Sequence, residues 1–339
     1  MGEFVHHAPQ AMGPGNSMLW DILMKDQANH DLEHLLQQID ELRTKDTALW
    51  PDRQESGTGG RAANLDMVAL ALGLQGRIPD LAEELGKRIR RAIYNSYGEI
   101  SDRSRVVKVF TPVFDHLNRR MAELSRPLVV FTTNYDPAVE IYSEECLPHH
   151  PLVDGFESDN RSRIGPVWNR KHFDDFSLGA NEPRIVLFKL HGSARWYDLD
   201  SRPVQLPFIH FASSETPYQN LLIYPAKNKV ALKDPFFTAY DYLQRVLDEC
   251  RLLICIGYSF RDYDALSKLK SCSLFNQNLS VLVIDPDAEK LSKQLQEDGV
   301  RAIPLKAKLG DDFQFLSKVW EEVEKAVRDS AEQAKTTSV

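Results

Sequence analysis

Four apolar runs in this chain each stop abruptly in a polar cluster. Leu128-Val129-Val130-Phe131 runs into Thr132-Thr133-Asn134-Tyr135-Asp136, and the run from Ile185 to Leu190 into His191-Gly192-Ser193. The run from Leu252 to Ile256 ends in Gly257-Tyr258-Ser259, and Val281-Leu282-Val283-Ile284 in Asp285-Pro286-Asp287. Runs this short and this apolar fit strands buried on both faces, and an open α/β sheet delivers side chains into its ligand crevice at such strand ends. Taken singly, each cluster reads as an ordinary turn, because Asn, Asp, Gly and Pro all favour turns. The four together constrain the fold to a parallel sheet with a ligand site along one edge.

The rest of the chain arranges itself around that sheet. Up to about residue 125 the sequence reads as a mainly helical lobe. Leu32, Leu35, Leu36, Ile39 and Leu42 form one stripe at helical spacing, and further helical stretches run over about 62–94 and 104–124. The glycine-rich 56–61 segment lacks Gly-Lys-Ser/Thr and a preceding strand, so it reads as a connection between helices. From 126 to 312 strands alternate with helices, including helical segments at 236–250 and 287–297 and a short closing strand, Ala302-Ile303-Pro304-Leu305. That alternation predicts a Rossmann-like parallel sheet with right-handed crossovers. Segments 144–183 and 198–220 are polar and read as loops near the site, and 313–339 reads as a C-terminal helix, with Leu316, Trp320, Val323 and Val327 on one face, followed by a tail.

Composition excludes several classes of function. A net charge of -8 argues against coating nucleic acid, so no direct nucleic-acid binding is expected. No apolar run approaches the roughly 18 residues that a membrane span needs. The sequence opens without a charged-then-apolar signal, and its four cysteines have no C-x-x-C spacing, so reduced thiols and a cytoplasmic location are expected. The pairs His6-His7 and His149-His150 lack companion ligands at metal spacing, and no metal is expected. The basic run Lys87, Arg88, Arg90 and Arg91 reads as a solvated face or a subunit contact.

The four strand ends together suit cleavage of a nucleotide's N-glycosidic bond. A nicotinamide leaving group is already cationic and needs no general acid. The barrier is an oxocarbenium-like ribose, of the kind met in glycoside hydrolysis. Such a site needs polar groups on the ribose, a base near neutral pKa and donors for the pyrophosphate. Asn134 is placed to orient ribose or water, and Asp136 to put negative charge near the developing cation. His191 is the natural base. Gly257 lets backbone approach a ligand, Ser259 offers a hydroxyl, and Asp285 can accept from adenosine ribose hydroxyls.

Three of these motifs in order, Thr132-Thr133-Asn134-Tyr135-Asp136, Leu190-His191-Gly192-Ser193 and Gly257-Tyr258-Ser259-Phe260-Arg261-Asp262, resemble those of the sirtuin-like superfamily over about residues 126–290. Their spelling is similar to the bacterial sirtuin-like branch found in anti-phage systems. The resemblance implies that Asn134 and His191 carry NAD chemistry and that Gly257 and Ser259 contact the adenosine half. Thr132, Thr133, Gly192 and Ser193 complete the expected NAD-binding set, with NAD as substrate. It further implies an NAD hydrolase acting as a toxic defence effector, controlled by an ATPase, Argonaute-like or nucleotide-processing partner or by homo-oligomeric assembly.

The sequence departs from the family pattern in two places. The strand and Gly-Ala-Gly-x-Ser loop with which that family opens are not in this sequence, and Met1-Gly2-Glu3-Phe4 looks like the region just downstream of it. The expectation is therefore a chain that begins one strand late, one that binds NAD without the loop, or one that no longer binds it well. Met12-Gly13-Pro14-Gly15-Asn16-Ser17 follows no apolar strand and is no substitute. Between His191 and Gly257 only Cys250 and Cys255 occur, too few for the four-cysteine zinc site of sirtuin deacylases. That leaves a non-catalytic NAD- or ADP-ribose-binding scaffold as the main alternative to the hydrolase, with a deacylase behind both.

Overall fold

A computed structural model of the protein describes residues 97–98, 100–150, 152–158, 165–174, 184–206, 219–223 and 233–310, with Glu321 and Lys325. The chain divides into two compact units, Met1–Ser96 and Tyr97–Val339. The expected helices before residue 95, the 56–61 connection, the basic run near residue 90 and the docking face Leu316, Trp320, Val323 and Val327 of the C-terminal helix all lie outside the described residues, while Glu321 and Lys325 are helical.

All four apolar runs form strands. β1 (Leu128–Thr132) pairs in parallel with β4 (Ile185–Lys189), Thr132 standing opposite Lys189. β8 (Leu252–Ile256) and β10 (Ala302–Leu305) flank β9 (Ser280–Ile284), all three parallel. The two sheets share both of their covering layers. On one face Val129, Phe131, Val186, Phe188, Leu253, Cys255, Val281 and Val283 pack with α4 (Phe236–Glu249) and α5 (Tyr263–Phe275). On the other, Leu128, Val130, Ile185, Leu187, Leu252, Ile254, Leu282 and Ile284 pack with α1 (Arg103–Glu123) and α2 (Ala138–Cys146). The odd–even split along each strand is the period-two alternation of a strand buried on both faces. Each helix contributes its apolar stripe, as with Val106, Val113 and Phe114 of α1. The architecture is α/β and Rossmann-like, as the strand–helix alternation predicts.

β4 and β9 are buried along their whole length, whereas β1 and β8 are half-buried throughout. Among the described residues β1 pairs only with β4 and β8 only with β9, so each has one side without a described partner. In open α/β sheets the ligand crevice lies beyond the carboxyl ends of the strands, where the polar clusters after β1, β4, β8 and β9 stand.

The segments read as polar loops contain more structure than their composition suggests. β5 (Gly192–Leu199) starts immediately after His191 and, with β2 (Phe156–Glu157), β3 (Val167–Trp168), β6 (Arg202–Gln205) and β7 (Gln219–Leu222), makes an antiparallel sheet in the order β2-β3-β6-β5-β7. Strands of two to four residues are too short to show a period, which is why the sequence reads as irregular there. The short α3 (Lys171–Asp174) follows β3. The aromatics Phe156, Trp168, Trp196 and Phe236 pack this sheet against the start of α4, with Trp196 and Phe156 ring centroids 5.0 Å apart. The remaining element, α6 (Ala288–Glu297), leads into β10.

No helix among the described residues is long and apolar enough to cross a membrane. The four cysteines are free thiols, and burial pushes that of Cys255 up to about 12, so it stays protonated and unreactive at neutral pH.

Candidate functional site

Parallel pairing brings the predicted residues to one edge. Thr132 and Lys189 are in register, and Leu190 N–H donates to the Thr132 carbonyl at 2.8 Å, so Asn134 and His191 each stand two residues past the same rung. Across the other sheet Ile256 is opposite Ile284, which puts Gly257 and Asp285 at matching positions just beyond it. Gly257 N–H donates to the Ile284 carbonyl at 2.9 Å. Asn134, Gly257 and Ser259 are exposed, while Thr132, Thr133, Asp136 and Asp285 are half-buried.

Several of these groups have local duties that the sequence does not reveal. The Thr132 hydroxyl accepts from Asn134 N–H at 3.1 Å. One Asp136 carboxylate oxygen accepts from Ala138 N–H at 3.0 Å, at the entry to α2. Asp285 likewise accepts from Asp287 N–H at 2.8 Å. Ser193 is fully buried; its hydroxyl donates to the Tyr135 carbonyl at 3.5 Å and accepts from Arg195 N–H at 3.2 Å. Ala194 N–H and the Tyr135 hydroxyl add bonds of 3.0 and 3.1 Å, to the Tyr135 and Ile223 carbonyls respectively. The loop that presents Asn134 is thus tied to β5 and to the residue after β7.

The two glycines differ. Gly192 has φ +87°, and a Cβ there would lie 2.1 Å from the Leu221 carbonyl oxygen, so glycine is required by the close approach of β7. Gly257 has φ +62°, and a Cβ would meet nothing within 4 Å among the described residues. Backbone conformation alone asks for glycine at 257, and the space beside it is open.

His191 is buried, and its Nε2 lies 2.7 Å from Asp262 Oδ2. The Tyr240 hydroxyl donates to the same oxygen at 2.9 Å. The other oxygen, Oδ1, accepts from Asp264 and Ala265 N–H at 3.0 and 3.2 Å and so caps α5. Burial pushes the Asp262 carboxyl up, but His191, the Ala265 amide and Tyr240 outweigh it and hold the group below its usual range. Burial, then the Asp262 charge, pushes the Tyr240 phenol up. Asp262 is therefore an ionised acceptor with four donors. His191 Nε2 must carry a proton to bond to it, so in the neutral ring the lone pair is on Nδ1, the form a general base requires. Phe260, between Ser259 and Asp262, is buried at φ +56°, a strained conformation for a residue with a side chain and one found mostly at functional turns.

A second buried polar group underlies the Asn134 loop. Lys189 is 1% exposed; its Nζ lies 3.1 Å from Glu140 Oε1 and also donates to the Asp136 carbonyl. Glu140 Oε2 is buried with no hydrogen-bond partner. Asp154, also buried, accepts from Phe156 N–H at 3.0 Å and Gln205 Nε2 at 3.1 Å. Burial and then the Glu140 charge raise its carboxyl from 3.8 to about 6, against the pull of those two donors. Because the folded form holds this proton more tightly than the unfolded chain, the folded state gains from Asp154 below about pH 4. It loses that gain as pH rises through about 6, by an amount on the order of 3 kcal/mol. Denaturant unfolding at pH 5 and pH 7.5 is expected to show this slope in the wild type and a flatter one in Asp154→Asn; equal slopes would refute it.

Sequence reasoning quotes Asp262 within the third motif but gives it no role, and it misses Tyr240, Lys189, Glu140 and Asp154. The sequence signals are an aspartate placed to cap the helix after a glycine-ended strand, and a lysine closing an otherwise apolar run. Among the described residues no three His, Cys, Asp or Glu side chains are grouped to hold a metal ion.

A search of curated proteins returns no match to the chain. A model of the SIR2-like domain matches residues 128–303, from the start of β1 into β10 and more than half of the chain. Every strand end described above lies within that match, and this chain belongs to the SIR2-like domain family.

Proposed function

We infer that the protein is an NAD glycohydrolase, cleaving NAD to nicotinamide and ADP-ribose. The observation that carries this reading is the buried His191–Asp262–Tyr240 network, set at the strand ends two residues past the rung that also leads to Asn134. In the reaction the C1′–N bond breaks and its electron pair neutralises the pyridinium nitrogen, releasing nicotinamide. Water adds to C1′ of the resulting cation and gives its proton to His191, while Asn134 orients the ribose or the water. Asp136 places negative charge beside the cation. Gly257 and Ser259 take the adenosine half, Asp285 its ribose hydroxyls, and Thr132, Thr133, Gly192 and Ser193 shape the nicotinamide-ribose side.

Unregulated NAD loss would kill the host, so the activity is held in check by a partner or by assembly, in keeping with a toxic effector of anti-phage defence. Asn134→Ala is expected to reduce nicotinamide release at least 100-fold with an unchanged melting temperature, because Asn134 is exposed and its side chain supports no part of the core. The assay takes the purified chain, alone and with the products of neighbouring genes, and follows nicotinamide. A second reading, a non-catalytic NAD- or ADP-ribose-binding scaffold, draws on the deep burial of His191, 3% exposed. It expects no release in any pairing and ADP-ribose binding indifferent to His191→Ala.

A further inference from the structure

Among the described residues Lys189 is one of the largest fully buried side chains, and it closes a strand whose other residues are all apolar. By the alternation of β4 it shares the face of Ile185 and Leu187, under α1 and α2, where a leucine would fit the pattern. A buried ammonium is costly unless paired, and a buried pair is often no more stabilising than apolar residues of the same volume. This pair is incompletely satisfied, since Glu140 Oε2 has no partner, and Asp154 adds a second carboxylate close enough for the Glu140 charge to act on it. Stability does not account for such an arrangement.

Its geometry accounts for it. The Lys189 ammonium bridges the Asp136 carbonyl and the Glu140 carboxylate, so one side chain ties the loop leaving β1 to the first turn of α2. Asp136 is two residues from Asn134, and the Thr132 hydroxyl holds the Asn134 amide on the other side. Tyr135 is anchored in between, through Ala194, Ser193 and Ile223. The Asn134 side chain projects from a loop fixed before it, beside it and after it, and the fixing after it depends on Lys189.

We propose that Lys189, neutralised by Glu140, is a positioning residue that sets where Asn134 stands relative to the ligand. The inference rests on the reading of Asn134 as a reacting-site residue, and its test separates the two. Lys189→Met alone strands a buried carboxylate and is expected to fold poorly, so the decisive variant is the double one, Lys189→Met with Glu140→Met. It removes both charges at similar volume and is expected to melt at or above the wild-type temperature. In it, amide exchange at Asn134, Tyr135 and Asp136 is expected to quicken at least tenfold, and kcat for nicotinamide release to fall about 100-fold with KM changed less than threefold. A pair serving only the fold would leave loop exchange and kcat at wild-type values in a well-folded double variant, and that result overturns the proposal. If the wild type releases no nicotinamide in any pairing, the hydrolase reading fails, while the exchange measurement still decides whether Lys189 holds the loop.

Discussion

Asp262→Asn is expected to slow nicotinamide release about 1,000-fold or more, under whichever pairing releases wild-type activity, with little loss of fold. The asparagine keeps an oxygen to cap α5, where Asp262 Oδ1 now accepts from Asp264 and Ala265. The change falls on the other atom. Where Oδ2 accepts from His191 at 2.7 Å and from Tyr240 at 2.9 Å, the variant presents an amide NH₂, a donor. To meet that donor, Nε2 of His191 must give up its proton, which then resides on Nδ1, and the nitrogen available as base is lost. The same carboxylate-to-amide change costs a serine protease triad about 10⁴-fold through the wrong tautomer. A loss of 1,000-fold corresponds to about 4 kcal/mol of transition-state stabilisation. Nitrogen chemical shifts of the His191 ring give a readout independent of activity: protonated Nε2 in the wild type, protonated Nδ1 in the variant. Wild-type turnover in Asp262→Asn would remove His191 from the role of base and favour the scaffold reading.

Gly192→Ala is expected to destabilise the protein by about 3–5 kcal/mol, or to prevent its folding. The substituted Cβ would stand 2.1 Å from the Leu221 carbonyl oxygen and 3.1 Å from its carbon, and neither backbone atom can turn away as a side chain would. The φ of +87° adds strain for any residue with a Cβ, so overpacking and conformational cost act together. Gly257→Ala is the informative contrast. Its Cβ meets nothing within 4 Å among the described residues, so only the cost of φ +62° applies, about 1 kcal/mol, and the variant should fold. What it fills is the open space beside the strand end, where ADP-ribose binding is expected to weaken. Thermal melting separates the two: a drop of about 10 °C or no folded protein for Gly192→Ala, a few degrees for Gly257→Ala. Near-wild-type stability of Gly192→Ala would mean that β7 can withdraw from β5, contrary to the packing described.

The parallel sheet was legible in the sequence because its strands are long enough and apolar enough to declare themselves. Leu128–Thr132, Ile185–Lys189, Leu252–Ile256 and Ser280–Ile284 each follow the apolar runs closely. The antiparallel sheet was hidden for the opposite reason. Its β2 and β3 are two residues long, and β6 contains Arg202, Pro203 and Gln205. Such strands are specified by the partner they pair with and by the aromatic cluster around Trp196, neither of which leaves a local period. The site divides similarly. Asn134, His191, Gly257 and Asp285 can be named from the sequence because a polar residue directly after a buried strand has one place to go, the carboxyl edge of the sheet.

The sequence by itself determined which residues lie at that edge, in what order, and which faces of the strands enter the core, since these follow from period-two alternation and from where each apolar run stops. Only the tertiary structure decided what the edge residues are bonded to. His191 and Asp262 are 71 residues apart in the chain, Tyr240 is 22 from Asp262, and Lys189 reaches back 53 residues to the Asp136 carbonyl. Those separations are spanned by helices and an entire second sheet, and their closing depends on how α2, α4 and α5 pack on the strands. Local propensity is blind to that packing. So the charge on Asp262, the tautomer of His191 and the anchoring of Asn134 are properties of the folded protein alone.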